Sequence, residues 1–164
     1  MNQQLDPRVS LMVDSFLKAT ENVLQTMAFI YPRPGEHYLN DRSIALGDVS
    51  AIIGLTGSMK GSLVLSFSES AILKIVSNML GEDLTEITED VKDAVGEITN
   101  MVSGVARQKL EAGGYNVTSA IPTIVSGKNH TVSHVLSGPS VIIPFDTDFG
   151  PFVVDLCLKS DEKS

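Results

Sequence analysis

Between Asp90 and Leu110 the apolar residues recur with the spacing of a helix, and no other feature of the chain restricts its fold as much. Stepping about 100° per residue from Asp93, the residues Ala94, Val95, Ile98, Met101, Val102 and Val105 cluster between roughly 80° and 200°. Glu97 and Asn100 fall within about 40° of Asp93, on the opposite side. A helix with one apolar stripe must lie on a second layer, and its polar face then turns outward. Gly104 lies in the centre of that polar face and Gly96 at its edge. An interior helical glycine costs about 1 kcal/mol relative to alanine. Two of them beside a polar trio let another backbone approach closely. Periodicity alone leaves two readings: a solvated surface of the kind most polar trios form, or a rigid face that holds a water molecule or grips a charged side chain.

The rest of the chain supplies the layer for this helix. Residues 7–28 read as a first helix, with Asp6 as N-cap and Pro7 at the first helical position. Val9, Met12, Val13, Phe16, Leu17, Val23 and Leu24 make its apolar side. Pro32, Pro34 and Gly35 break the pattern. Val49–Thr56 reads as a strand, Gly57-Ser58 as a turn, and Gly61–Phe67 as the hairpin partner. Ser68 or Ser70 caps a short helix over Ala71–Leu80, closed by Gly81. The long helix starts at Thr88 or Asp90 and ends at Gly113-Gly114. Four further strands are expected at Thr123–Gly127, Thr131–Leu136, Val141–Phe145 and Phe152–Leu158. A weak echo at an offset of 89 residues aligns Gly57–Phe67 with Asp146–Leu156, so that each half reads as helix plus hairpin. At that offset Asn100, Glu97 and Asp93 fall on Leu11, Arg8 and Gln4, so the first helix has no Glu-x-x-Asn. The expected fold is α+β: one domain over residues 1–164, a mostly antiparallel sheet with helices on one face. Its edge strands need covering, and a homodimer is one way to cover them.

Composition excludes several functions. A net charge of -8, with the twelve Lys and Arg scattered, argues against a nucleic-acid binder. Cys157 is the only cysteine and lies in the apolar run 152–158, so it reads as a packed hydrophobe. No run approaches the roughly 20 apolar residues of a membrane span, and the first residues do not form a signal peptide. A soluble cytoplasmic protein is expected. His130 and His134 face the same way in a strand, but no third zinc ligand has motif spacing, so no metal site is expected. The stretch Gly54–Gly61 lacks the spacing of a phosphate-binding loop and reads as a hairpin turn. The acidic cluster Glu82, Asp83, Glu86, Glu89 and Asp90 reads as solvated surface that favours the start of the long helix.

Asp93-x-x-x-Glu97-x-x-Asn100, followed by Pro122, resembles the signature of the CheC/CheX/FliY phosphatases of bacterial chemotaxis. A single copy of the motif in a chain of this length is most similar to a CheX-like member. The resemblance implies a phosphatase acting on the aspartyl phosphate of a CheY-type response regulator. It implies that Asn100 enters the receiver's active site and orients the attacking water, while Glu97 pairs with the receiver's lysine. Asp93 is a secondary contact. Gly96 and Gly104 are assigned to partner binding because they thin the helix. Magnesium is expected on the receiver, with no cofactor on this chain. The alternative is a non-catalytic module that binds a phosphorylated receiver or a flagellar switch component. The Pro-rich stretch Tyr31–Asn40 has no counterpart in the motif.

Overall fold

A computed structural model describes residues 7–40, 44–133 and 140–160. Three helices, α1 (Pro7–Ala28), α2 (Glu69–Leu80) and α3 (Glu89–Ala112), pack on an antiparallel sheet. The strands are β1 (Arg33–Pro34), β2 (Tyr38–Asn40), β3 (Ile44–Gly57), β4 (Met59–Phe67), β5 (Val117–Ser119), β6 (Thr123–Ser133), β7 (Ser140–Thr147) and β8 (Gly150–Ser160). Their order is β1-β7-β8-β4-β3-β5, with β2 also on β7 and β6 also on β3. The α+β class and the antiparallel sheet agree with the sequence reading.

Alternation along each strand separates the faces. Val49, Ala51, Ile53 and Leu55 of β3, and Leu63, Leu65 and Phe67 of β4, turn to the helices and are fully buried. Val154 and Leu156 of β8 and Ile143 and Phe145 of β7 join them. Phe16 and Leu24 of α1, Ile72 and Ile75 of α2, and Val95, Ile98 and Val102 of α3 complete one continuous core. Each such side chain contributes about 1.5–3 kcal/mol by leaving water. Phe145 and Phe152 stack with ring centroids 4.9 Å apart, and Phe67 stacks on Phe152 at 5.1 Å. Cys157 is buried, as its apolar run predicts.

The two helix-plus-hairpin units lie side by side. Hairpin β3–β4 meets hairpin β7–β8 through the antiparallel pairing of β4 with β8, and α1 packs on α3. Gly57 takes φ 120°, a conformation that favours glycine, at the turn before Ser58. Helix α1 is described from Pro7 onwards; Asp6, the expected N-cap, lies outside the described residues.

Four local readings differ from the sequence. The segment 31–40 reads as a break but supplies β1 and β2, which cover the outer edge of β7; Gly35 N–H donates to Pro144 O at 2.8 Å. Pro34 suits that place because an edge strand tolerates a missing donor. Residues 117–119, unassigned in the sequence reading, form β5 against β3. The two strands expected at Thr123–Gly127 and Thr131–Leu136 are one strand, β6, that runs through the Gly127-Lys128-Asn129 sequence. Register shifts there: Gly47 faces His130 and Val49 faces Ser126, so extra β6 residues bulge opposite Asp48. Residues 134–136 of that expected strand, and His134, lie outside the described residues. Finally, Ser68 occupies the N-cap of α2 without a capping bond. Its hydroxyl donates to Pro151 O at 2.6 Å, and Asp48 Oδ2 accepts from Glu69 N–H at 2.8 Å instead. Gly81 ends α2 in the left-handed conformation expected of it. None of the described helices is long and apolar enough to cross a membrane.

Candidate functional site

Helix α3 is built to be straight and firmly seated. Thr88 Oγ1 accepts from Val91 N–H at 3.4 Å, and Glu89 and Asp90 complement the positive end of the helix dipole. Lys109 in the last turn complements the negative end, and Gly113 closes the helix. Val91, Val95, Ile98, Val102, Ala106 and Leu110 form the buried stripe, each at 1% exposure or less. The opposite face carries Asp93, Glu97 and Asn100, all exposed. The predicted trio therefore stands on one rigid, convex surface. None of the three has a side-chain hydrogen bond or ion pair with a described residue. Between them Thr99 is buried, and its hydroxyl donates to Val95 O at 2.8 Å, so it belongs to the helix and not to the outer face.

The two glycines part company. Gly96 is buried, and a Cβ placed on it would lie 3.6 Å from Ile124 Cδ1 and 3.8 Å from Pro122 Cγ. Its bare surface thus faces the chain's own Pro122–Ile124 segment. Gly104 has nothing within 4 Å of such a Cβ. It belongs to a groove of about 540 Å³ between α3 and β5, lined also by Met101, Val105, Arg107, Asn116 and Val117.

Strand β5, the link 120–122 and β6 run beside α3, and this brings in residues that the sequence did not single out. Ile121, next to Pro122, is 89% exposed, more than any other large apolar side chain described. Arg107 lies seven residues beyond Asn100 on the same face. Its position could have been read from the helical spacing; the exposure of Ile121 could not. The acidic residues Glu82, Asp83, Glu86, Glu89 and Asp90 are solvated, as expected. His130 places Nε2 2.6 Å from Ser50 Oγ and Nδ1 2.8 Å from Gly127 O, so both ring nitrogens are engaged in holding the β6 bulge. Among the described residues no group of three His, Cys, Asp or Glu side chains is placed to hold a metal ion.

With the geometry in view, comparison with known proteins is decisive. The family model for chemotaxis phosphatase CheX matches residues 49–146, which span β3 to β7 and all of α3. The chain belongs to the CheX family. The CheY-P phosphatase CheX of Thermotoga maritima is 31% identical over 126 residues, covering 76% of this chain and 79% of that protein. A chemotaxis protein CheX of Desulfovibrio desulfuricans is 44% identical, with a TM-score of 0.86 over 90% of this chain and 99% of that one. CheX in a CheX–CheY–BeF3–Mg2+ complex from Borrelia burgdorferi is 25% identical, with a TM-score of 0.76 over 90% of this chain and 97% of that one. The likeness to these CheX structures therefore extends over nine-tenths of the chain.

Proposed function

We infer that this chain is a phosphatase of a phosphorylated CheY-type response regulator, with Glu97 and Asn100 as its working residues. The observation that carries the reading is a carboxylate and a carboxamide with no side-chain partner among the described residues, three residues apart on one exposed helix face, in a chain of the CheX family. The Thermotoga relative named a CheY-P phosphatase and the Borrelia complex with CheY support the same partner.

The chemistry asks little of this chain. An aspartyl phosphate is an acyl phosphate, and water attacks its phosphorus without a covalent intermediate on the enzyme. Catalysis then consists of placing that water in line and holding the two proteins in register. Asn100 enters the receiver's active site; its carboxamide oxygen accepts from the water while its NH2 donates to a neighbouring oxygen. Glu97, one turn earlier, pairs with a receiver lysine and so fixes the depth of insertion. Asp93, a further turn back, makes a peripheral contact. Gly104 keeps the helix thin where the receiver lies against it. Magnesium is held by the receiver, where it neutralises the phosphoryl oxygens. The site of action is the cytoplasm. A homodimer would use the β5–β6 edge, since β1 and β2 cover the other; light scattering on the purified chain tests it.

Phosphoreceiver lifetime in the presence of magnesium is the deciding measurement. Wild-type protein shortens it, and Asn100→Ala abolishes the effect with the fold intact. Full activity in both Asn100→Ala and Glu97→Ala overturns the assignment. A receiver that binds but keeps its phosphate would leave only the non-catalytic module.

A further inference from the structure

We propose that the groove between α3 and β5 seats a carboxylate-bearing segment of the phosphorylated receiver, with Arg107 as its counter-charge. This rests on the phosphoreceiver reading above and extends its contact surface beyond the Glu97–Asn100 pair.

Continuity of the surface is the first ground. At about 100° per residue, Gly104 and Arg107 fall within about 40° of Asp93, as Asn100 does. They lie about 6 Å and about 10 Å beyond Asn100 along the helix axis. A receiver placed over Asn100 with a contact of standard size, about 800 Å² per partner, would extend over this stretch.

The state of Arg107 is the second. It forms no ion pair with a carboxylate among the described residues, and its buried Nε has no hydrogen-bond partner. A desolvated donor left unpaired is costly to a fold. Arg107 as a whole is only half-buried, so a carboxylate from outside would pair with its guanidinium from the solvent side and offset part of that cost. Helical side chains lean towards the N-terminus of their helix. For Arg107 that is the side of Gly104, whose missing side chain leaves the groove open there.

Charge is the third. The chain carries a net charge of -8 and must meet a receiver whose active site holds a phosphoryl group. Asp93 and Glu97 add negative charge to the meeting face. Arg107 opposes that repulsion on the same face. Glu111, four residues on, also lines the groove and makes its far end acidic, so the visiting carboxylate belongs at the Asn100 end. Met101, Val105 and Val117 give the groove an apolar wall that suits a peptide segment and not a bare anion.

The test uses full-length protein and a panel of CheY-type receivers phosphorylated with acetyl phosphate. The receiver hydrolysed fastest is then loaded with beryllofluoride and magnesium for direct binding measurements. Arg107→Glu is expected to raise Kd and KM about tenfold or more while kcat stays within about twofold. Arg107→Lys should keep most of the affinity, and Arg107→Met should fall between the two. Salt should weaken binding of the wild type more than binding of Arg107→Met. Unchanged Kd in Arg107→Glu overturns the proposal, and Arg107→Met answers in its place if the Glu variant fails to fold. Equal losses in Lys, Met and Glu variants would show that the side chain acts only through the packing of α3, which also overturns it. A wild type that neither binds nor hydrolyses any receiver removes the functional reading itself, an outcome distinct from an active wild type indifferent to Arg107.

Discussion

Helices α1 and α3 do the same structural work and differ in what they show to solvent. Both are amphipathic, both bury one stripe in the same core, and they pack on each other. Each helix holds an ion pair within itself, Lys18 Nζ 3.3 Å from Asp14 Oδ2 in α1 and Lys92 Nζ 3.1 Å from Glu89 Oε1 in α3. Helix α3 leaves Asp93, Glu97 and Asn100 without side-chain partners among the described residues and adds two interior glycines. No contact within the described residues gives Glu97 and Asn100 a structural duty on α3. Side chains left unsatisfied on an otherwise well-capped helix are where function is to be sought.

That contrast can be broken or sharpened by substitution. The largest effect should come from the shared duty. Phe16→Ala in α1 removes a fully buried ring and should cost about 3–5 kcal/mol of stability, read by urea denaturation, whatever the phosphatase assay shows in the folded fraction. Next comes Asn100→Ala, expected to lower kcat about 100-fold or more with little change in melting temperature. Asn22→Ala, at an exposed position of α1, should change neither. If both asparagines prove equally dispensable, the distinction between the helices collapses. Ile121→Ser should raise KM several-fold by removing an exposed apolar contact beside Pro122, with kcat unaltered. The smallest effect separates the glycines. Gly96→Ala has room for its methyl against Ile124 and should stabilise the protein by up to about 1 kcal/mol without altering receiver affinity. Gly104→Leu should weaken receiver binding. Loss of affinity in Gly96→Ala would support the partner role expected of it.

Long-period features were legible in the sequence. The apolar stripe of α3 placed Glu97 and Asn100 on the outer face, and the Gly57-Ser58 turn placed the β3–β4 hairpin, because each signal repeats over many residues. Features set by tertiary pairing were not. Strands β1 and β2 are two and three residues long and have no alternation to read; they exist because β7 offers them an edge. Gly127-Lys128-Asn129 has the composition of a turn, yet the chain continues as a bulged strand because β3 pairs on both sides of it. Gly96 looked like Gly104 on a helical wheel, since a wheel shows direction and cannot show that Pro122 and Ile124 already occupy one of those directions. Ile121 has no periodic signal at all.

One consequence follows from the convex shape of the α3 surface. Glu97 and Asn100 are both exposed on the outer side of α3. If the pair works on the receiver as proposed, small acyl phosphates such as acetyl phosphate should survive in the presence of this protein alone, because the receiver would supply the rest of the catalytic site.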